Sequence, residues 1–235
     1  MCCGPAPTGF THCFACRHVV RSLGLTLSPA LPARLCPIPS TLYSVLVAYK
    51  EAALGEARRR DGTVVCALLG EHMATQRDRV AGRLDGLPDH VVPVPSTSRP
   101  DGSPLGRVDG LPAAAVAPFP SASWSPALLR RAAAPVGHMR PSPQAFAVPE
   151  PRAVIGSRVV LIDDTYVSGA RAQSAAAALR LAGARSVVIV AAGRVLRPDR
   201  VRAHAAFMAH AAALAEKHAD GAARARCAQT VASTE

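Results

Sequence analysis

Apolar positions along this chain fall into two patterns, short unbroken runs and runs at helical spacing, and their alternation predicts an α/β fold. The clearest succession lies late in the sequence. Residues 158–163 read as a continuous apolar strand, 170–182 as an alanine-rich helix closed by Gly183, and 186–192 (SVVIVAA) as a second apolar strand. This is a βαβ unit, with two buried parallel strands and a right-handed crossover.

Earlier elements are less regular. Residues 63–83 place Val65, Leu68, Leu69, His72, Met73, Gln76 and Val80 at helical spacing, which predicts one amphipathic helix. TLYSVLVAYKEA, from 41, is β-branched and aromatic enough to read as a strand or hairpin. DHVVPVPSTSRP, from 89, reads as a short strand ending in a Pro- and Ser-rich turn. Between 97 and 120 Pro, Gly and Asp are too dense for a long element, leaving a short helix near 108–117 and a strand or helix near 124–133. Residues 137–151 read as a long loop, and long loops in compact domains are more often functional than idle. A last helix is expected over 199–217, followed by a frayed tail at 219–235.

Composition narrows the classes. With 235 residues, 49% of them hydrophobic, and no internal repeat, the chain suits one α/β domain over 41–218 plus a small appendage. No run approaches the apolar length of a membrane span, and the N-terminus lacks the pattern of a secretory signal, so a cytoplasmic protein is expected. The formal charge of +11 would suit an acidic partner such as nucleic acid. The basic residues, however, are nearly all Arg, scattered among Ala, Gly and Pro, and not interleaved with aromatics, so no motif supports a nucleic-acid surface. Apolar helix faces such as 63–83 would permit a homodimer.

Residues 1–40 are rich in Pro and Cys and read as a small appended module or a loose lead-in. Cys13 and Cys16 form a Cys-x-x-Cys pair, two thiolates able to hold one edge of a tetrahedral Zn²⁺. Cys2, Cys3, Cys36 or a flanking His would supply the remainder. An odd number of Cys in a chain expected to be cytoplasmic argues against a disulfide framework.

The chemistry concentrates in VVLIDDTYVSGARAQ, residues 159–173. Asp163 and Asp164 stand at the end of an apolar strand, where ligands bind parallel sheets. Two adjacent carboxylates repel each other unless cations or hydroxyl groups use them, and a vicinal diol presents hydrogens in a fork that a carboxylate can accept. The turn Thr165-Tyr166-Val167-Ser168-Gly169 leads straight into a helix. Backbone N–H groups there, with the Ser168 hydroxyl and the close approach Gly169 permits, make an anion cradle. A diol binder beside a monophosphate cradle is a receptor for ribose 5-phosphate.

The same stretch resembles the phosphoribosyl pyrophosphate signature of type I phosphoribosyltransferases: four apolar residues, two acidic ones, then a Thr/Ser-Gly turn. The resemblance implies a doubly wound, mostly parallel sheet. It implies that Asp163 and Asp164 bind the ribose 2- and 3-hydroxyls, that residues 165–169 hold the 5-phosphate, and that Mg²⁺ accompanies the pyrophosphate. More of the chain is similar to one branch, the ComF-like (competence protein F-like, amidophosphoribosyltransferase-like) proteins, in which a Cys-rich zinc module precedes the transferase domain. VVPVPSTSR at 91–99 resembles their pyrophosphate loop, which nominates Ser96, Ser98 and Arg99. The stretch 43–50 and RPSPQAFAV at 140–148 also look like theirs, and His138 lies in the candidate loop.

Two departures from the family pattern stand out. Arg171 replaces the usual Thr or Ser two residues after the turn Gly, and would reach a phosphate or face solvent. PDGSPLGRVDG at 100–110 stands where the family has its Arg-Gly-Phe-Asn-Gln type segment. The expected function is transfer of ribosyl 5-phosphate from phosphoribosyl pyrophosphate to a nitrogen acceptor. The alternative is a non-catalytic ComF-like accessory or sensor in DNA uptake or nucleotide metabolism.

Overall fold

The structure is a computed structural model that describes residues 12–50, 55–96, 103–137 and 139–213. The chain divides into two compact units, Met1–Leu196 and Arg197–Glu235. In the second, a helix covers residues 202–213, and the His204 ring accepts from the Arg197 amide at 2.9 Å.

The first unit is built on a five-stranded parallel sheet in the order β1-β7-β6-β2-β3. Its strands are β1 (Ala30–Pro37), β2 (His90–Pro93), β3 (Ser123–Trp124), β6 (Arg158–Tyr166) and β7 (Ser186–Leu196). A separate antiparallel pair joins β4 (Arg130–Arg131) and β5 (Phe146–Ala147). The helices are α1 (Phe14–Leu23), α2 (Thr41–Ala48), α3 (Gly55–Thr75), α4 (Arg77–Leu84), α5 (Leu111–Val116) and α6 (Ala170–Leu181).

β6 and β7 are unbroken apolar runs over 159–162 and 187–192 because both of their faces are covered there. Val159, Leu161, Val187 and Ile189 enter one hydrophobic cluster together with Ala172, Ala175 and Leu179 of α6 and Cys16 of α1. Val160, Ile162, Val188 and Val190 enter a second cluster with Leu46 of α2, Val65, Leu69 and Met73 of α3, Val80 and Leu84 of α4, and Leu111 of α5. Helices on both faces of a parallel sheet make a doubly wound α/β arrangement. The predicted β6-α6-β7 succession is present, with the strands running a few residues further than their apolar cores.

Three sequence expectations are corrected. Residues 30–37, expected within a lead-in, form β1 and pair with β7 from Ala30 opposite Ile189 to Pro37 opposite Leu196. β1 is an edge strand, the one place in a sheet where Pro32 and Pro37 can be accommodated, so Pro content was a poor guide there. The stretch at 41–48 is a helix, not a strand or hairpin. The Ser40 hydroxyl caps it by accepting from the Tyr43 amide at 3.1 Å, and burial of Leu46 outweighs the weak strand preference of the run. The helix expected over 63–83 is two, α3 and α4, broken at Gln76, although Val65, Leu69, Met73 and Val80 are all buried.

No helix among the described residues is long and apolar enough to cross a membrane.

α2 sits on the sheet at Gly193 of β7, where a Cβ would come 2.6 Å from Leu46 Cδ1 and 3.1 Å from Cys36 Cβ. Gly193→Ala is therefore expected to cost about 1–3 kcal/mol through overpacking. Chemical denaturation should show a lower midpoint at unchanged slope. An unchanged midpoint would contradict the seating of α2 on β7.

Candidate functional site

Chain order and sheet order together locate the site. From β2 the chain moves outward to β3, then returns to the other side of β2 for β6 and continues outward to β7. The order reverses between β2 and β6, and such a switch point opens a crevice beyond the carboxyl ends of the strands. Asp163 and Asp164 stand at that end of β6. Ser96, buried, lies three residues beyond β2.

Neighbouring residues on a strand point to opposite faces. Continuing the alternation of 159–162 sends Asp163 toward the α6 side and Asp164 toward the α2 side, and their partners agree. Asp163 Oδ1 accepts from Arg171 Nη2 of α6 at 2.6 Å and from the Asp164 amide at 3.0 Å. Asp164 Oδ2 accepts from the Tyr49 hydroxyl at 2.5 Å and from Lys50 Nζ at 2.8 Å, both just past the end of α2. Asp164 Oδ1 accepts from Thr165 Oγ1 at 2.8 Å, with Arg171 Nη2 at 3.4 Å.

Both carboxylates are 3% exposed. Two buried anions at adjacent positions persist because two cations, one from each side of the sheet, neutralise them. The match is uneven. Burial pushes the Asp163 carboxyl up to about 6, against the attraction of Arg171 and with the help of its neighbour Asp164. Burial also acts to raise the pKa of Asp164, but Lys50 and Arg171, with hydrogen bonds from Lys50 and Tyr49, outweigh it and hold that carboxyl below its ordinary value. Burial and the adjacent Asp164 push the Tyr49 phenol well above its usual range, so it stays protonated and donates.

After β6 the chain turns through Val167, Ser168 and Gly169 into α6. Gly169 has φ +81°, and a Cβ there would run into the Tyr166 phenol, so both the backbone and the packing demand glycine. Ser168 Oγ accepts from the Ala170 amide at 3.3 Å at the helix start. Gln173 of α6 donates to the Tyr166 hydroxyl at 3.2 Å and exchanges two hydrogen bonds with the backbone of Ser28, at 2.8 and 3.0 Å, which fixes the helix against the segment before β1. The turn closes a cavity of about 190 Å³ lined by Gly137, Asp163 and residues 165–172. That volume suits a sugar phosphate headgroup and is smaller than pockets for drug-sized ligands, about 300–1,000 Å³.

Asp163 and the 165–169 turn are thus brought together at one cavity, while Asp164, the next residue along β6, is buried beside it and is not part of the lining. Ser98, Arg99 and His138 lie outside the described residues. Arg171 donates to both carboxylates, an arrangement the sequence did not suggest, and it also lines the cavity. Tyr49 and Lys50 were missed as functional residues, although a signal was present: Lys50 is one of only two Lys among 27 basic residues.

Cys13 and Cys16 are both buried, and Cys13 Sγ caps α1 by accepting from the Cys16 amide at 3.5 Å. Among the described residues no group of three His, Cys, Asp or Glu side chains is placed to hold a metal ion, while Cys2 and Cys3 lie outside them. In comparisons with known proteins, the chain matches no family model, no curated protein and no solved structure.

Lys50→Met removes one of the neutralising cations and should destabilise the fold by about 2 kcal/mol, below the roughly 3–5 kcal/mol of a fully buried pair because Lys50 is part-exposed and Arg171 remains. Adding Asp164→Asn should restore most of that loss in a double-mutant cycle measured by denaturation. Additive losses would contradict direct neutralisation of Asp164 by Lys50.

Proposed function

We propose that this chain binds phosphoribosyl pyrophosphate and transfers its ribosyl 5-phosphate to a nitrogen acceptor, as a ComF-like member of the type I phosphoribosyltransferases. The observation that carries the reading is buried Asp163, paired with its neighbour Asp164, lining the same cavity as the glycine turn at the start of α6. The carboxylates accept hydrogen bonds from the ribose 2- and 3-hydroxyls. Asp163 Oδ2, which accepts from no described residue, is the first acceptor available. The turn and the first amides of α6 hold the 5-phosphate.

Held in this way, C1 of the ribose faces the open crevice. The acceptor nitrogen donates its lone pair to C1, the bond from C1 to pyrophosphate oxygen breaks, and pyrophosphate departs with the bonding electrons. The proton left on nitrogen passes to solvent. Positioning and charge complementarity supply the catalysis, so no side-chain nucleophile is required.

The carboxylate pair is already neutralised by Lys50 and Arg171, which suits a Mg²⁺ ion carried mainly by diphosphate oxygens and water rather than by a protein cage. When bound there, Mg²⁺ supplies neutralisation of the leaving pyrophosphate. That same internal neutralisation favours a second reading, a non-catalytic accessory or sensor in DNA uptake or nucleotide metabolism, in which the ligand is bound but not turned over. Release of pyrophosphate in the presence of nitrogen acceptors separates the two.

Calorimetric titration with phosphoribosyl pyrophosphate, with and without Mg²⁺, tests the binding. Asp163→Asn with Asp164→Asn should abolish binding in a folded chain, and unchanged affinity in that variant would remove the ribose assignment.

The pH dependence carries a second test. The Asp163 carboxyl, pushed up to about 6, becomes a full acceptor only above that value, so affinity for ribose 5-phosphate should rise between pH 5 and 7. A phosphate monoester itself gains charge near pH about 6, so the Asp163 share is the part of the rise that Asp163→Asn removes. Identical profiles for the two proteins would contradict a role for Asp163 as acceptor.

A further inference from the structure

Arg194 of β7 is 2% exposed, and among the described residues its guanidinium has no carboxylate partner. Instead Nη1 donates to two successive carbonyl oxygens, that of Tyr166 at 3.0 Å and that of Val167, while the guanidinium carbon lies 5.3 Å from the centre of the Tyr166 ring. Its buried Nε has no hydrogen-bond partner among the described residues. A buried cation with no counter-charge is expensive, costing several kcal/mol, and calls for a reason. Both hydrogen bonds of its guanidinium, and its ring contact, are with Tyr166 and Val167, in the turn assigned to the 5-phosphate.

The peptide bond supplies the reason. In a trans peptide the N–H points opposite to the C=O. With the Tyr166 and Val167 carbonyls both drawn to Arg194, the amides of the same two peptide units, those of Val167 and Ser168, point away from it. Val167 and Ser168 line the cavity. One buried guanidinium therefore turns two consecutive donors outward, and its uncompensated positive charge lies behind them.

We propose that Arg194 is a positioning residue for phosphate: it orients the Val167 and Ser168 amides toward a dianionic phosphoryl group and supplies the standing positive charge that favours a dianion over a neutral sugar. The inference rests on the ribose 5-phosphate reading and names what makes the turn selective for phosphate. Without Arg194 the two carbonyls lose their shared donor, the peptide units are free to flip, and the cradle loses its charge.

The test is titration of the full chain with ribose 5-phosphate and with inorganic phosphate, following the amide signals of Val167 and Ser168 by NMR. In the native protein both amides should shift and saturate. In Arg194→Gln, which keeps a hydrogen-bond donor but no charge, affinity for both anions should fall at least tenfold while the amide signals of the remaining sheet stay in place. If that variant does not fold, Arg194→Lys serves, with a several-fold loss expected because one ammonium reproduces the charge but not the planar geometry.

A folded variant that binds with native affinity would overturn the role of Arg194 alone, as would native binding that leaves the two amides unmoved. A native chain that binds neither anion would overturn the ribose 5-phosphate reading and the inference with it.

Discussion

Two carboxylates at successive positions of a buried strand are tolerable only if cations reach them from both sides of the sheet. Asp163 faces α6 and takes Arg171, and Asp164 faces the α2 side and takes Lys50 and the Tyr49 hydroxyl. This places demands on distant parts of the chain. α2 must end where Tyr49 and Lys50 can reach the end of β6, and Leu46 must seat on the bare backbone of Gly193 to hold it there. α6 must start immediately after Gly169, so that Arg171 falls in its first turn. The doubly wound architecture is what makes such two-sided neutralisation available, since each face of the sheet carries its own helix.

The two carboxylates are alike in sequence and unlike in environment. Asp164, with Lys50 and the Tyr49 hydroxyl on one oxygen and the Thr165 hydroxyl on the other, is held ionised. Asp163, with Arg171 on one oxygen and burial working against its charge, is pushed up to about 6. Asp163 is also the one that lines the cavity. An acceptor whose charge is held in balance at the open end of a strand is suited to hydroxyl donors. Beside it, Arg194, which has no carboxylate partner among the described residues, lies behind the glycine turn, so in the proposed reading the cavity has an acceptor end and a donor end separated by a few residues of one chain segment.

Much of the sheet's centre was legible in the sequence because β6 and β7 carry unbroken apolar runs at 159–162 and 187–192, a signature of strands covered on both faces. The Asp pair and the glycine turn were legible because like charges on a buried strand and a Ser-Gly helix start are each unusual in themselves. β1 was hidden by Pro32 and Pro37, which an edge strand admits. α2 was hidden by the β-branched residues between Leu42 and Ala48, whose weak local preference yields to the Ser40 cap and the burial of Leu46. The break at Gln76 left no mark on the apolar pattern, which continues in phase from Met73 to Val80. The cations were the least legible part of the site, because Lys50 and Arg194 become neighbours of the Asp segment only through sheet order and helix placement.

The central claim is that the internally neutralised carboxylate pair and the glycine turn form one receptor for ribose 5-phosphate. A crystal structure of the chain with ribose 5-phosphate tests this most directly. The account predicts the 2- and 3-hydroxyls within hydrogen-bond distance of Asp163 and Asp164, and the phosphate against the amides of the 166–169 turn. A well-ordered ligand seated elsewhere, or an empty cavity at saturating ligand, would contradict it.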